Sequence, residues 1–525
     1  MARRTQILAS LVLASAALAG LSAAGAGSSG ARSIELSVLG TYSTGIFAGG
    51  AQEIVAFDPE TDRLFVVNAG LDTVDVLDAS DPSAPTKVGE IDTSELGSPN
   101  SVDVHDGLVA VALQADPKTD PGKVAFFDAD GAELAAVTVG ALPDMLTFTP
   151  NGRFVLVANE GEPSDNYSID PEGSVSVIDL EGGIGSLSQA DVRTAGFGAF
   201  TKAKLPAGVR IFGPGATVAQ DLEPEYVAAA DSRTAWVTLQ EANAVAVIDV
   251  KRAVVTEIKA LGLKDHSLPG NGLDPSDRDN AIAIAGWPVY GMYMPDGIEA
   301  YEYKGRTFYV TANEGDAREY DDFVEEARVG SLALDPAAFP NAAFLKDNAR
   351  LGRLTVSTAS GDTDGDGDFD QLHVFGGRSF TIWNQAGRIV FDSGDALERL
   401  TSIPGEFNSN NDENDSADTR SDNKDPEPEG VALGAVGKRL YAFVGLERIG
   451  GVMVWDVTSP HVPRFVQYLS NRDFAGDPEA GTAGDLGPEG LHFIAKNDSP
   501  IGVPLLAVAN EVSGTTTLYR IDPQP

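Results

Sequence analysis

The 525 residues carry 78 Asp and Glu against 37 Lys and Arg, a formal charge of −41, and no cysteine. So negative a surface repels nucleic-acid phosphates and anionic lipid, and the missing thiol excludes disulfides, thiolate metal ligands and a cysteine nucleophile together. Solubility accounts for most of the excess acid, so the informative carboxylates are those whose position repeats.

Residues 1–26 read as a secretory signal, with Arg3 and Arg4 ahead of an apolar stretch over 7–21 and Ala24-Gly25-Ala26 as the cleavage pattern. The paired arginines raise a twin-arginine route as the alternative, though Thr5-Gln6-Ile7 suits that signal poorly. Residues 27–525 are therefore expected outside the cell, secreted or periplasmic, as a monomer. No later stretch reaches the roughly 18 apolar residues of a membrane span, so no membrane insertion is expected.

After an unassigned strand over 33–39, one unit repeats along the chain: a proline or acidic start, an apolar strand, a short turn, a second apolar strand closing on Ala-Asn-Glu or a variant, and a third strand ending near Asp. Opening strands begin near Gln52, Asn100, Pro143, Pro224, Pro295, Gln371, Pro428 and Pro488, giving eight candidate modules. Second strands are read at 64–68, 154–159, 235–240, 308–313, 440–444 and 505–510, and third strands at 73–78, 123–128, 174–179, 244–249 and 451–456. Short strands at the roughly 40-residue period of a four-stranded blade predict an all-β propeller of seven or eight blades. The last module shows only three strands, so the 33–39 strand is expected to complete it and close the ring, removing an open edge. The whole reads as one domain with insertions at 261–295, 316–370 and 404–427.

Neighbouring strands of a blade are antiparallel, so the start of the first strand and the end of the second lie at one face. The first set there is Glu223, Glu225, Asp296, Glu299, Glu427, Glu429 and Glu489; the second is Glu160, Glu162, Glu241, Glu314, Asp316 and Glu511. Together they should surround the mouth of the central channel. So many like charges repel strongly unless they protonate, stay hydrated or bind cations. Oxygen-only ligation suits Ca²⁺, with Mg²⁺ or Mn²⁺ as alternatives, and five scattered histidines without an HExxH motif argue against zinc. The bland alternative is a set of solvated loops whose carboxylates cap turns.

A second acidic motif is sharper. Asp362, Asp364, Asp366, Asp368 and Asp370 stand two apart, with Gly367 at the sixth place, as in an EF-hand loop, although His373 stands where that loop needs Glu and no helix pattern flanks it. A structural Ca²⁺ tethering an insertion is expected there. The polar stretch ahead of Glu429 carries Arg420 and Lys424 beside carboxylates, as a loop holding an anion against metal would. A mobile surface loop is the competing reading, and no Ser-His-Asp arrangement or phosphate loop stands out.

Several longer motifs carry a resemblance. Asn159-Glu160-Gly161-Glu162, Asn313-Glu314-Gly315-Asp316-Ala317-Arg318, the 361–370 loop, Gly377-Arg378-Ser379-Phe380-Thr381-Ile382-Trp383, Arg420-Ser421-Asp422-Asn423-Lys424 and Glu427-Pro428-Glu429-Gly430-Val431 resemble the choice-of-anchor I family of exported propellers, which includes mesenchyme-specific cell surface glycoprotein homologues. The resemblance implies surface attachment for members with a C-terminal anchor signal, which the sequence ending Asp522-Pro523-Gln524-Pro525 does not show. Some members are called atypical alkaline phosphatases, and the propeller is similar to calcium-dependent phytases.

Two functions follow as expectations. One is a metal-dependent phosphoester hydrolase, with Ca²⁺ on the mouth carboxylates and Arg318, Arg420 or Lys424 neutralising the substrate's charge. The other is a non-catalytic module in which calcium rigidifies loops and the rim binds an extracellular protein or glycan. A redox propeller is disfavoured, because no Cys-x-x-Cys-His attachment exists.

Overall fold

The computed structural model describes residues 33–524, so the 1–26 signal lies outside it. Seven four-stranded antiparallel sheets form the blades of a propeller. Their innermost strands are Ala51–Asp58, Ser98–His105, Pro143–Phe148, Val227–Ala229, Ile298–Tyr303, Pro428–Val436 and Pro488–Ile494. Each touches the next and the last touches the first, which closes the ring.

Closure is made as the sequence predicted. Blade seven takes three strands from the C-terminal end of the chain, and Ile34–Ser43 adds the fourth, running antiparallel to Thr515–Pro523 with Ile34 opposite Pro523 and Ser43 opposite Thr515. The second and third strands are nearly continuous apolar runs because both their faces pack on neighbouring blades. Every residue of Phe154–Asn159 and of Leu505–Asn510 is buried. Between blades four and five, the Trp236 and Tyr309 rings stack with centroids 3.9 Å apart.

The eight candidate modules become seven blades. The module placed near Gln371 is not separate: Ser379–Asn384 and Ile389–Asp392 are the third and outer strands of blade five, paired through Arg306–Asn313 to Ile298–Tyr303. A 65-residue excursion between the second and third strands hid this, since the repeat looks for neighbours in sequence and the sheet does not. His373–Val374, inside that excursion, instead runs parallel to Tyr290–Met292, which pairs with Leu263–Asp265 in a small three-stranded sheet. The first and second insertions thus fold together over a core that includes Leu273, Val289, Val329, Leu354 and Leu372.

Glycines set the width of the channel. A Cβ on Gly297 would lie 2.4 Å from Glu429 O, on Gly430 2.0 Å from Glu489 O, and on Gly490 2.5 Å from Glu53 O. Only hydrogen fits there, so the inner strands of blades five, six, seven and one meet backbone to backbone.

Candidate functional site: a carboxylate-lined mouth

At the start of each inner strand one residue takes a corresponding place, Glu53, Asn100, Asp144, Glu225, Asp296, Glu429 and Glu489, one from each blade; regular pairing with the second strand begins or resumes two residues later, or one residue later for Asn100. In five blades this residue lies at a break in register, as between Pro143 and Leu146 or Pro488 and Leu491. Such bulges re-aim a side chain. The second strands supply another arc directly after their last residues, Glu160, Gln240, Glu314, Glu447 and Glu511.

These two arcs enclose a cavity of about 340 Å³ whose lining includes nine carboxylates and only two bases, Lys424 and Arg448. The bases stand on one side. Lys424 Nζ is 3.2 Å from Glu314, 3.3 Å from Asp316 and 3.4 Å from Glu427. Arg448 lies 3.2 Å from both Glu427 and Glu447, and Arg420 donates to Glu427 at 2.6 Å. Burial raises the Glu427 carboxyl, but Lys424, Arg420 and Arg448 outweigh it and hold the group well below the usual carboxylate range.

On the opposite side Arg318 lowers Glu241, but its charge is itself held by Asp221 and Glu223. Burial, then the charges of Glu241, Glu160, Asp296 and Asp144, push Glu225 well above its ordinary value. Asp144 rises to about 7 through burial and the nearby Glu162, and Glu53 to about 8 through burial, Glu511 and Asp144. Glu225 and Glu241 are 7% and 5% exposed, and one carboxylate oxygen of each is buried without a hydrogen-bond partner. An oxygen-only donor set, crowded, acidic and partly orphaned, fits a hard divalent cation. Glu314, Glu427 and Glu447 also offer ligand atoms within 4.8 Å of one another.

The structure distributes the other sequence-chosen residues unevenly. Glu160, Glu225, Asp296, Glu314, Asp316, Lys424, Glu429 and Glu489 line the cavity. Glu511 stands beside it, close enough to raise Glu53 and Glu489. Glu162 lies at the rim, paired with Lys118 and accepting from the Tyr320 hydroxyl at 2.8 Å. Glu223 sits behind the wall, bound to the buried Arg318. Glu299 is not at the mouth: it lines a smaller cavity of about 110 Å³ further along the channel with Asp103 and His492. Ile54, Met145 and Tyr226 border both cavities and so separate them.

Of the three bases chosen to hold an anion, only Lys424 lines the cavity. Arg318 is spent on Asp221 and Glu223, with its guanidinium 4.6 Å over the Phe212 ring. Arg420 is spent on Glu427. Arg448, Glu447, Glu53 and Asp144 were missed by the sequence reading. Their signal was available, since Glu53 and Asp144 follow the recognised starts Gln52 and Pro143, and Glu447 follows a recognised second strand.

The acidic loop is exposed at Asp362, Asp364 and Asp366, whose ligand atoms cluster; Asp368 and Asp370 turn instead toward Asp335. Asp362 accepts from the backbone of Gly365 and Gly367, and Asp370 from Thr363, so the loop is already wrapped around its carboxylates.

Comparison with known proteins adds two partial likenesses. The chain is 30% identical over 190 residues to Gigasin-3a of Magallana gigas, covering 34% of this chain and 66% of that one. It is 25% identical over 240 residues to the mesenchyme-specific cell surface glycoprotein of Strongylocentrotus purpuratus, covering 38% and 30%. The match thus spans less than two thirds of either relative. Among solved structures, Kuenenia stuttgartiensis hydrazine synthase aligns over 90% of this chain and 96% of its own at 16% identity and a TM-score of 0.46. A streptogramin B lyase aligns over 94% and 98% at 9% identity and a TM-score of 0.45. Neither score bears on chemistry. Among the described residues no helix is long and apolar enough to cross a membrane. The choice-of-anchor I domain model matches residues 53–460, most of the chain, and the protein belongs to that family.

Proposed function

We propose that the protein is a divalent-cation-binding propeller of the cell exterior, with Ca²⁺ at the channel mouth and phosphoester hydrolysis as the reaction that site serves. The observation that carries the cation reading is the imbalance of the mouth, nine carboxylates to two bases in one cavity. The exterior location is supported by the signal read over 1–26 and by a relative named as a cell surface glycoprotein. A bound divalent cation supplies Lewis acidity and a water of lowered pKa. The chain's own contribution is to hold it on carboxylates and to present Lys424 and Arg448 to an anion at the same cavity wall. A second Ca²⁺ at Asp362, Asp364 and Asp366 would fasten the second insertion.

One observation favours a non-catalytic module. Lys424 and Arg448 are already engaged by Glu314, Glu427 and Glu447, so an incoming anion has to compete with them. Calcium would then only stiffen the ring, with the rim binding an extracellular protein or glycan.

Hydrolysis of p-nitrophenyl phosphate and of its bis-ester decides between the two, using purified protein after chelation and again after Ca²⁺ is restored. Calcium-restored turnover that Glu314→Gln removes establishes the hydrolase. Absence of turnover together with a Ca²⁺-dependent rise in melting temperature establishes the module. Absence of any calcium effect rejects the cation reading itself.

A further inference from the structure

The mouth is unequal in a way its acidity alone does not require. On the side of blades five and six Glu314 and Asp316 meet Lys424, Glu447 meets Arg448, and Glu427 meets Lys424, Arg420 and Arg448 together, while Asp296 and Glu429 have no base among the groups that shift them. On the side of blades three and four, Glu225 has four acidic neighbours and no base among the groups that shift it. One oxygen each of Glu225, Glu241, Glu429 and Glu489 is buried and unpartnered, and all of these but Glu241 line the cavity. Those orphaned oxygens are a separate observation from the crowding, because a carboxylate that merely repelled its neighbours would turn toward water or a donor.

Resting on the cation-binding reading above, we propose that the mouth is divided: a divalent cation is held by Glu160, Glu225 and Glu241 on the wall of blades three and four, while the Lys424 and Arg448 wall receives the anionic group of the ligand. The tighter cluster of Glu314, Glu427 and Glu447 is the obvious rival seat. Its charge is already met by three bases, and a dication there would face the Lys424 ammonium across Glu427. On the wall of Glu160, Glu225 and Glu241 the base that acts is Arg318, on Glu241, and its charge is already met by Asp221 and Glu223. A ligand spanning the cavity then needs an anion able to face metal on one side and a Lys–Arg pair on the other, as a phosphate monoester or inorganic phosphate does.

Calorimetric titration tests this with Ca²⁺ alone and then with inorganic phosphate at saturating Ca²⁺, on full-length mature protein carrying Asp364→Asn and Asp366→Asn to silence the acidic loop. Glu225→Gln is expected to weaken Ca²⁺ binding by about tenfold or more, the scale on which metal sites respond to loss of a supporting group. Glu447→Gln is expected to leave it nearly unchanged. Lys424→Met should keep or tighten Ca²⁺ and weaken phosphate about tenfold, the worth of one charge-assisted hydrogen bond. If Glu225→Gln does not fold, judged by circular dichroism, Glu241→Gln takes its place. Loss of Ca²⁺ in Glu447→Gln with retention in Glu225→Gln overturns the division while leaving a cation site at the mouth. No Ca²⁺ binding in the parent protein overturns the cation reading as well, so the two failures are distinct. Phosphate affinity unchanged in Lys424→Met removes the anion half.

Discussion

Arg318 Nε lies 3.0 Å from Glu223 Oε2, and the same guanidinium also binds Asp221. All three side chains are buried, so this ion triad braces the second insertion, which carries Arg318, against the entry to blade four. Asp221 in turn accepts from the backbone of Gly213 at 2.8 Å, tying in the loop that bears Phe212.

Arg318→Met is therefore expected to act on stability. It leaves two carboxylates buried without their base, and breaking such a pair costs about 3–5 kcal/mol. Urea unfolding should show the loss as a lower midpoint at neutral pH. An unchanged midpoint would show that the triad does not hold the insertion.

The chelated protein is expected to lose stability as pH rises from about 5 to about 8. Glu53 is pushed up to about 8 and Asp144 and Glu241 to about 7, so the folded state binds more protons than the unfolded one across that window. Stability from these groups is complete below the unfolded carboxylate range and is lost as pH passes through their folded values. Ca²⁺, which binds the ionised form, should flatten the slope. Urea midpoints across this range with chelator and with Ca²⁺ check it; parallel slopes in both would separate the mouth carboxylates from metal.

Gly430→Ala is expected to force apart the inner strands of blades six and seven. The added Cβ would stand 2.0 Å from Glu489 O, and backbone cannot give way as a side chain does. Overpacking of this kind costs about 1–3 kcal/mol or more, and because Glu429 and Glu489 flank the contact, mouth Ca²⁺ affinity should fall with it. Thermal melting and calcium titration read the two effects together.

Asp364→Asn with Asp366→Asn should reduce bound Ca²⁺ by one equivalent and leave the mouth titration intact. These side chains are exposed and are not among the residues lining either channel cavity. Metal analysis after dialysis against limiting Ca²⁺ shows the change, and an unaltered stoichiometry would leave the loop a plain turn.

The repeat, read from strands bounded by Gly, Pro, Asn and Asp, determined the propeller and its closure by Ile34–Ser43, because blade strands are local, short and apolar on both faces. It also determined which face the carboxylates share, since antiparallel pairing puts the start of a strand beside the end of the strand that follows it. Tertiary structure alone decided the rest. It assigned Ser379–Asn384 to blade five across an insertion, which no period in sequence can span. It withdrew Arg318 and Arg420 from the mouth and placed Arg448 in it, because a guanidinium goes to the nearest buried carboxylate and that neighbour lies far away in sequence, Glu223 for Arg318. It dropped Glu299 below a barrier of Ile54, Met145 and Tyr226, since Glu299 stands three residues along the chain beyond Asp296 and each residue of an inner strand advances about 3.3 Å.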